Sequence, residues 1–190
     1  ALLFSIPFIL KPQLLVVVPV YLFKVIRDNN CKMLVFAPLS AIAVILLVAA
    51  PFTTGFDYLW LVERYMETMN YYDYYTVNAY NIFAVFGLNW EAIPEGAFGM
   101  ALNVIGPVIA TVLTGLIYFK SKREDVLFIC PCVIMATAYM FTVKMHERYL
   151  FHALIFMLLA YVLTRERRLV FAYAGMSFLH YFNVNYVLYL

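Results

Sequence analysis

The sequence predicts an all-α fold, a polytopic bundle of transmembrane helices with one long extracytoplasmic loop that contains an interfacial amphipathic helix. Three observations predict it. Of the 190 residues 66% are hydrophobic and only 13% are charged, too apolar a mixture for one water-soluble domain to hide in a core. Apolar runs of span length recur along the chain, and a helix of about 22 residues rises about 33 Å, the hydrocarbon thickness of a bilayer. The charges, finally, collect in polar connections between those runs.

The elements follow in order, and the whole of residues 1–190 reads as a single transmembrane domain. Residues 1–26 are apolar but broken at Lys11-Pro12, because Pro12 supplies no amide donor and disfavours helix at Lys11; a helix break or the meeting of two helices is expected there. Residues 1–10 carry neither a basic segment nor a small-residue cleavage pattern and do not read as a signal peptide. Further spans are predicted over residues 34–52, 98–119, 126–143, 149–163 and 169–190, with an outer loop over 53–97. In that loop Leu59, Val62, Met66 and Met69 share one helical face, opposite Asp57, Trp60, Arg64 and Glu67, the pattern of a helix lying in the interface with Trp60 at headgroup level. The tyrosine-rich stretch that follows, Tyr71 to Asn81, has no clear period and is ordered only if it packs on something. Residues 82–88 are apolar, too short to span, and end at Gly87.

Charge placement gives an orientation. Lys24, Arg27 and Lys32, then Lys120, Lys122 and Arg123, then Arg165, Arg167 and Arg168 fall on alternate connections, which the positive-inside rule assigns to the cytoplasm. Lys11, Arg64, Lys144 and Arg148 are left for the opposite face, with the long loop. The 16 tyrosines and 17 phenylalanines suit interfacial belts and a lined cavity. Cys31, Cys130 and Cys132 have no metal-ligand spacing and read as packing residues; no divalent metal is expected. The chain shows no glycine-rich phosphate loop, and no basic, aromatic-interleaved patch argues for nucleic acid.

Lys144, His146, Glu147 and Arg148 are the most informative residues, four ionisable groups within five positions at the seam between two apolar runs. Polar groups at that depth are costly unless paired or used. If helix continues through the seam, Lys144 and Arg148 lie on one side of it, with Glu147 three residues from Lys144. One reading is an interfacial cluster whose cations snorkel to headgroups. The other is a site for an anionic headgroup or phosphate, held by two cations and an imidazole. Lys11 is open to the same two readings. The six outer-loop carboxylates, Asp57, Glu63, Glu67, Asp73, Glu91 and Glu95, read mostly as solvated or paired groups, any one of which could serve as a base. Asn78 and Asn81 are candidate sugar or acceptor binders, together with Tyr75, although Asn in such a segment most often caps or turns the backbone. Arg165 to Arg168 reads as a topology determinant touching anionic lipid.

Met145 to Phe151 opening a hydrophobic run, Lys11-Pro12-Gln13 in an earlier one, and Thr76 to Asn81 ahead of Asn89-Trp90 resemble the bacterial relatives of the GPI second mannosyltransferase, polytopic glycosyltransferases of the GT-C type. His152 follows Phe151 where that pattern leads one to expect Pro. The resemblance runs from Lys11 to the last span. It implies transfer of a sugar from a polyprenyl- or dolichyl-phosphate donor to an acceptor on the extracytoplasmic or lumenal face, in a bacterial plasma membrane or the endoplasmic reticulum. It implies further that His146 and Arg148, with Lys144 and Lys11, bind the donor phosphate and that Glu147 orients one of these cations. The catalytic aspartate of the family is expected upstream of Ala1, so the chain reads as the C-terminal part of a larger enzyme. Its expected partners are membrane lipid, the lipid-linked donor, and a missing N-terminal half or partner chain. Two rivals are a transporter or flippase, in which His146 and Glu147 relay protons and Lys11 binds the anion, and a non-catalytic membrane subunit.

Overall fold

A computed structural model describes residues 12–55 and 57–189, and Lys11, with the break expected beside it, lies outside the described residues. The chain is mostly helical. Its helices are α1 (Val18–Arg27), α2 (Cys31–Ala49), α3 (Leu59–Asn70), α4 (Ile82–Val85), α5 (Ala97–Lys120), α6 (Val126–Phe141), α7 (Leu150–Thr164) and α8 (Arg167–Leu188), joined in places by 3-10 turns. Two short strands, β1 (Thr76–Val77) and β2 (Met145–His146), pair in parallel, a feature the all-α expectation does not contain.

Among the described residues three helical segments are long and apolar enough to cross a membrane, Cys31–Phe52, Ala97–Lys120 and Glu147–Thr164. They fall on three of the predicted spans, and they mark this as a membrane protein. Two further predicted runs are helical without being among the three. The run at 126–143 yields a helix of 16 residues, because Thr142 leaves helical geometry with ψ at 143°. The run at 169–190 is a helix of 22 residues, but Ser177, His180, Asn183 and Asn185 interrupt its hydrophobicity and it is not among the three.

The chain divides into two units, Ala1–Tyr72 and Asp73–Leu190. In the first, α1 is capped by the Lys24–Asp28 pair and α2 turns nearly every side chain outward, with only Ala49 buried. The predicted amphipathic helix is α3, whose Leu59, Val62 and Met66 are exposed. An aliphatic groove of about 440 Å³ runs between α1, α2 and α3, past Leu22, Pro38 and Leu61.

The second unit is a stack of α5, α6, α7 and α8, each helix packed on the next. Many of the buried positions along it are small, Gly99, Gly106, Ala110, Thr114 and Gly115 on α5, Cys130, Cys132 and Ala138 on α6, Ala153 and Ala160 on α7, set among larger buried residues such as Tyr118, Ile134 and Leu154. Small residues let backbones approach where lipid removes the usual hydrophobic drive between helices. Against α6 the approach is tight at Gly106, where an added Cβ would sit 2.4 Å from the Phe141 carbonyl oxygen and 2.5 Å from the Thr142 Cα.

Short connections make successive helices antiparallel, so the stack has two polar ends. At one, Arg123 in the α5–α6 connection makes two bonds to Asp125 (2.7 and 2.8 Å) and one of 3.1 Å to Glu166 in the α7–α8 connection. Arg123 holds both carboxylates below their usual range. At the other end lie the starts of α5 and α7, the close of α6, and the segment 73–96.

Candidate functional site

The seam between α6 and α7 is not helical. After Phe141 the chain extends, Lys144 takes a left-handed conformation with φ at 61°, β2 follows, and a 3-10 turn over Glu147–Tyr149 leads into α7. Helical continuity, and with it the same-side placement of Lys144 and Arg148 by a four-residue step, is therefore lost. In its place the seam is stitched to the tyrosine-rich segment. Thr76 pairs with Met145 and Val77 with His146, the Lys144 N–H donates to the carbonyls of Tyr74 and Tyr75 at 3.1 Å each, and the Thr76 hydroxyl donates to the Met145 carbonyl at 3.3 Å.

That segment is folded on itself. Tyr75 N–H donates to the Glu91 carbonyl, Trp90 N–H to Thr76 and Ile93 N–H to Asp73, at 2.9, 3.0 and 3.0 Å. Asn78 sits at its centre in the left-handed region. Its side-chain oxygen accepts from the Asn89 amide at 3.0 Å and the Trp90 indole at 2.9 Å, and its N–H donates to the Asn89 side chain at 2.7 Å. Trp90 and Lys144 share that backbone region with φ of 62° and 61°. Residues with a Cβ hold it only where surroundings over-determine them, and such positions gather at functional sites.

Asn183 of α8 ties the segment to the stack. Only 1% exposed, it donates from Nδ2 to the Asn78 carbonyl, and its Oδ1 accepts from the Tyr80 N–H at 3.1 Å and the Tyr139 hydroxyl of α6 at 2.8 Å. Sequence reasoning passed over both Asn183 and Tyr139. One signal was there to find: an asparagine inside an apolar helical run is costly unless bonded.

The charged side chains surround this stitched region unequally. Lys144 Nζ lies 2.9 Å from Asp73 Oδ1, with 21% of the lysine side chain and 59% of the aspartate exposed. Arg148 is 61% exposed, its guanidinium 5.9 Å from the Tyr149 ring centre, and Glu147 stands 3.8 Å from it as a loose orienting partner. His146 is different. It is 5% exposed and packs on the Tyr149 ring at 5.1 Å. Burial, and then the Arg148 charge, hold its pKa below the ordinary histidine value against the opposing pull of Glu147. So placed, the imidazole serves as a hydrogen-bonding ring more readily than as a charge.

Of the candidate sugar binders, Asn81 is 1% exposed and caps α4, its Oδ1 accepting from the N–H groups of Phe83 and Ala84 at 3.1 and 3.2 Å. Tyr75 packs on Phe83, ring centres 5.7 Å apart. Asn78 holds the loop as described. Beyond Tyr80 a cleft of about 550 Å³ opens against α8, lined by Tyr181, Phe182, Asn185, Tyr186 and Tyr189. Amphipathic rings of this kind suit a boundary between apolar and wet surroundings. Among the described residues no cluster of three or more His, Cys, Asp and Glu side chains could hold a metal ion.

This polar end therefore combines two water-accessible cations, a carboxylate pre-paired with one of them, and a rigid aromatic and amide-rich wall. Lys144, with Asp73 beside it, is the charge this end presents next to the folded segment. No family model matches the chain, and no curated protein or solved structure matches it.

Proposed function

We propose that the chain is the membrane-embedded, donor-binding part of a GT-C-type glycosyltransferase, mannosyltransferase-like, which takes a sugar from a polyprenyl- or dolichyl-phosphate carrier. In this reading α5, α6, α7 and α8 form a membrane bundle, α2 is a further span, α3 lies in the interface, and the 73–96 segment with the seam faces the extracytoplasmic or lumenal side. The observation that carries it is the stitching of Lys144 to Tyr74 and Tyr75, which sets one cation of the seam against the polar aromatic segment at one end of the stack.

The chemistry follows from the leaving group. A lipid phosphate departs readily when its charge is met by positioned donors, so the demand on the protein is cations at the phosphate and a dry, ordered surround for the sugar. Lys144 and Arg148 supply the charge at the water-accessible rim. His146, neutral and behind them, contributes a hydrogen-bonding ring and keeps the strand in place. The acceptor hydroxyl still needs a base, which the resemblance places outside this chain.

The test is sugar transfer from polyprenyl-phosphate mannose by the complete natural protein in proteoliposomes. Lys144→Gln and Arg148→Gln are each expected to lower transfer by about 10-fold or more, since a charge-assisted hydrogen bond is worth about 1.5–3 kcal/mol. Undiminished transfer by both variants would remove the site assignment.

A further inference from the structure

Asp73 is the acidic residue that sequence reasoning could not separate from five other loop carboxylates. The fold separates it. Its carboxylate lies 2.9 Å from Lys144 Nζ, and both backbones are pinned: the Asp73 carbonyl accepts from Ile93 N–H at 3.0 Å, and the Lys144 N–H is shared by the carbonyls of Tyr74 and Tyr75. Tyr74 also bridges to Ala92. An exposed ion pair between two mobile side chains gains little, because ordering both costs what the attraction returns. Here the backbone has been ordered already, and the left-handed conformation of Lys144 fixes where its stem departs.

We propose that Asp73 is a built-in competitor for the anion at Lys144, and so sets the charge selectivity of the site. This rests on the anion-binding reading above and deepens it. Asp73 takes the place at Lys144 that one phosphate oxygen would take, keeping the lysine extended toward the site. With more than half its side chain in water, the carboxylate can swing into solvent when a stronger anion arrives. A phosphate monoester, with three terminal oxygens and up to two charges against the carboxylate's two oxygens and one charge, outcompetes it. A free carboxylate offers no more than Asp73 itself, and the phosphate of a zwitterionic headgroup already has its own cation, so neither does. The exchange moves no proton and breaks no covalent bond.

Neutralising Asp73 therefore tightens anion binding, the reverse of what loss of an ordinary supporting residue does. The experiment is titration of farnesyl phosphate, a short prenyl phosphate, onto the protein in phosphatidylcholine nanodiscs, with inorganic phosphate and farnesol as parallel arms. Asp73→Asn and Asp73→Ser are expected to tighten farnesyl phosphate binding about two- to five-fold, the range that an exposed pair supplies. Lys144→Gln weakens it, and in the Lys144→Gln background Asp73→Asn has no further effect. Normal binding by the parent protein with no tightening in either Asp73 variant overturns the role of Asp73 and leaves the phosphate site standing. Absence of farnesyl phosphate binding in every protein overturns both. Tightening seen with inorganic phosphate alone supports the competition and overturns the lipid carrier as ligand.

Discussion

Replacing Asn183 by Leu, close in size, should detach the tyrosine-rich segment from the helix stack. The amide makes three bonds from a site that is 1% exposed. Without it the Tyr139 hydroxyl is left bare in a buried position, at about 1–3 kcal/mol. The Asn78 carbonyl and the Tyr80 N–H lie toward the polar end, where water can replace the lost partner, and add about 0.5–1 kcal/mol each. The total is about 2–5 kcal/mol, to be read as a shift in the detergent-induced unfolding of the protein in mixed micelles. Tyr139→Phe alone should cost about 1 kcal/mol but, in the Asn183→Leu background, should restore part of the loss, since it removes a hydroxyl left buried without its acceptor. An average interhelical hydrogen bond in a membrane contributes about 0.6 kcal/mol. A loss no larger than that for Asn183→Leu, or strict additivity with Tyr139→Phe, would refute the idea that this amide is a three-way tie.

Two further outcomes are expected. Gly106→Ala places a methyl 2.4 Å from the Phe141 carbonyl and should destabilise by about 1–3 kcal/mol as α5 is pushed from α6, whereas Gly175→Ala, with nothing within 4 Å of the new carbon, should be neutral or mildly stabilising in the same unfolding assay. The pKa of His146 is lowered on folding, so the unfolded chain binds its proton first; the contribution of the neutral ring is complete above the ordinary value near pH 6.5 and is lost as pH falls from there through the lower folded value. Unfolding midpoints compared between pH 7.5 and 5.5 should fall less steeply for His146→Gln than for the parent protein.

The parts of this molecule that a bilayer dictates were the legible ones. Length and unbroken hydrophobicity locate the segments at Cys31–Phe52, Ala97–Lys120 and Glu147–Thr164, because few other structures accommodate such runs. The helical period of Leu59, Val62 and Met66 likewise appears as α3. What resisted reading is what depends on distant partners. Two-residue strands carry no periodicity, so the pairing of Thr76 with Met145, 69 residues away, leaves no trace in composition. Extrapolating helix through Lys144 failed because nothing local to that residue reveals that its N–H serves Tyr74 and Tyr75. Among the candidate residues the cluster at 144–148 was visible from its ionisable groups, and the burial of His146 was not, because it follows from the strand partner. Asn81 answered to its usual habit as a cap.

The parallel pairing of β1 with β2 fixes an order of assembly. Side-by-side strands running the same way require a long crossover, and here that crossover contains both α5 and α6, so the clip cannot close until both helices have been made and packed. Asn183 reaches Asn78 across 105 positions of the chain, so the loop is not locked until α8 has been made. A nascent chain halted ahead of α8 would thus carry Asp73, Lys144 and Arg148 while lacking the bolt that ties their loop to the helices.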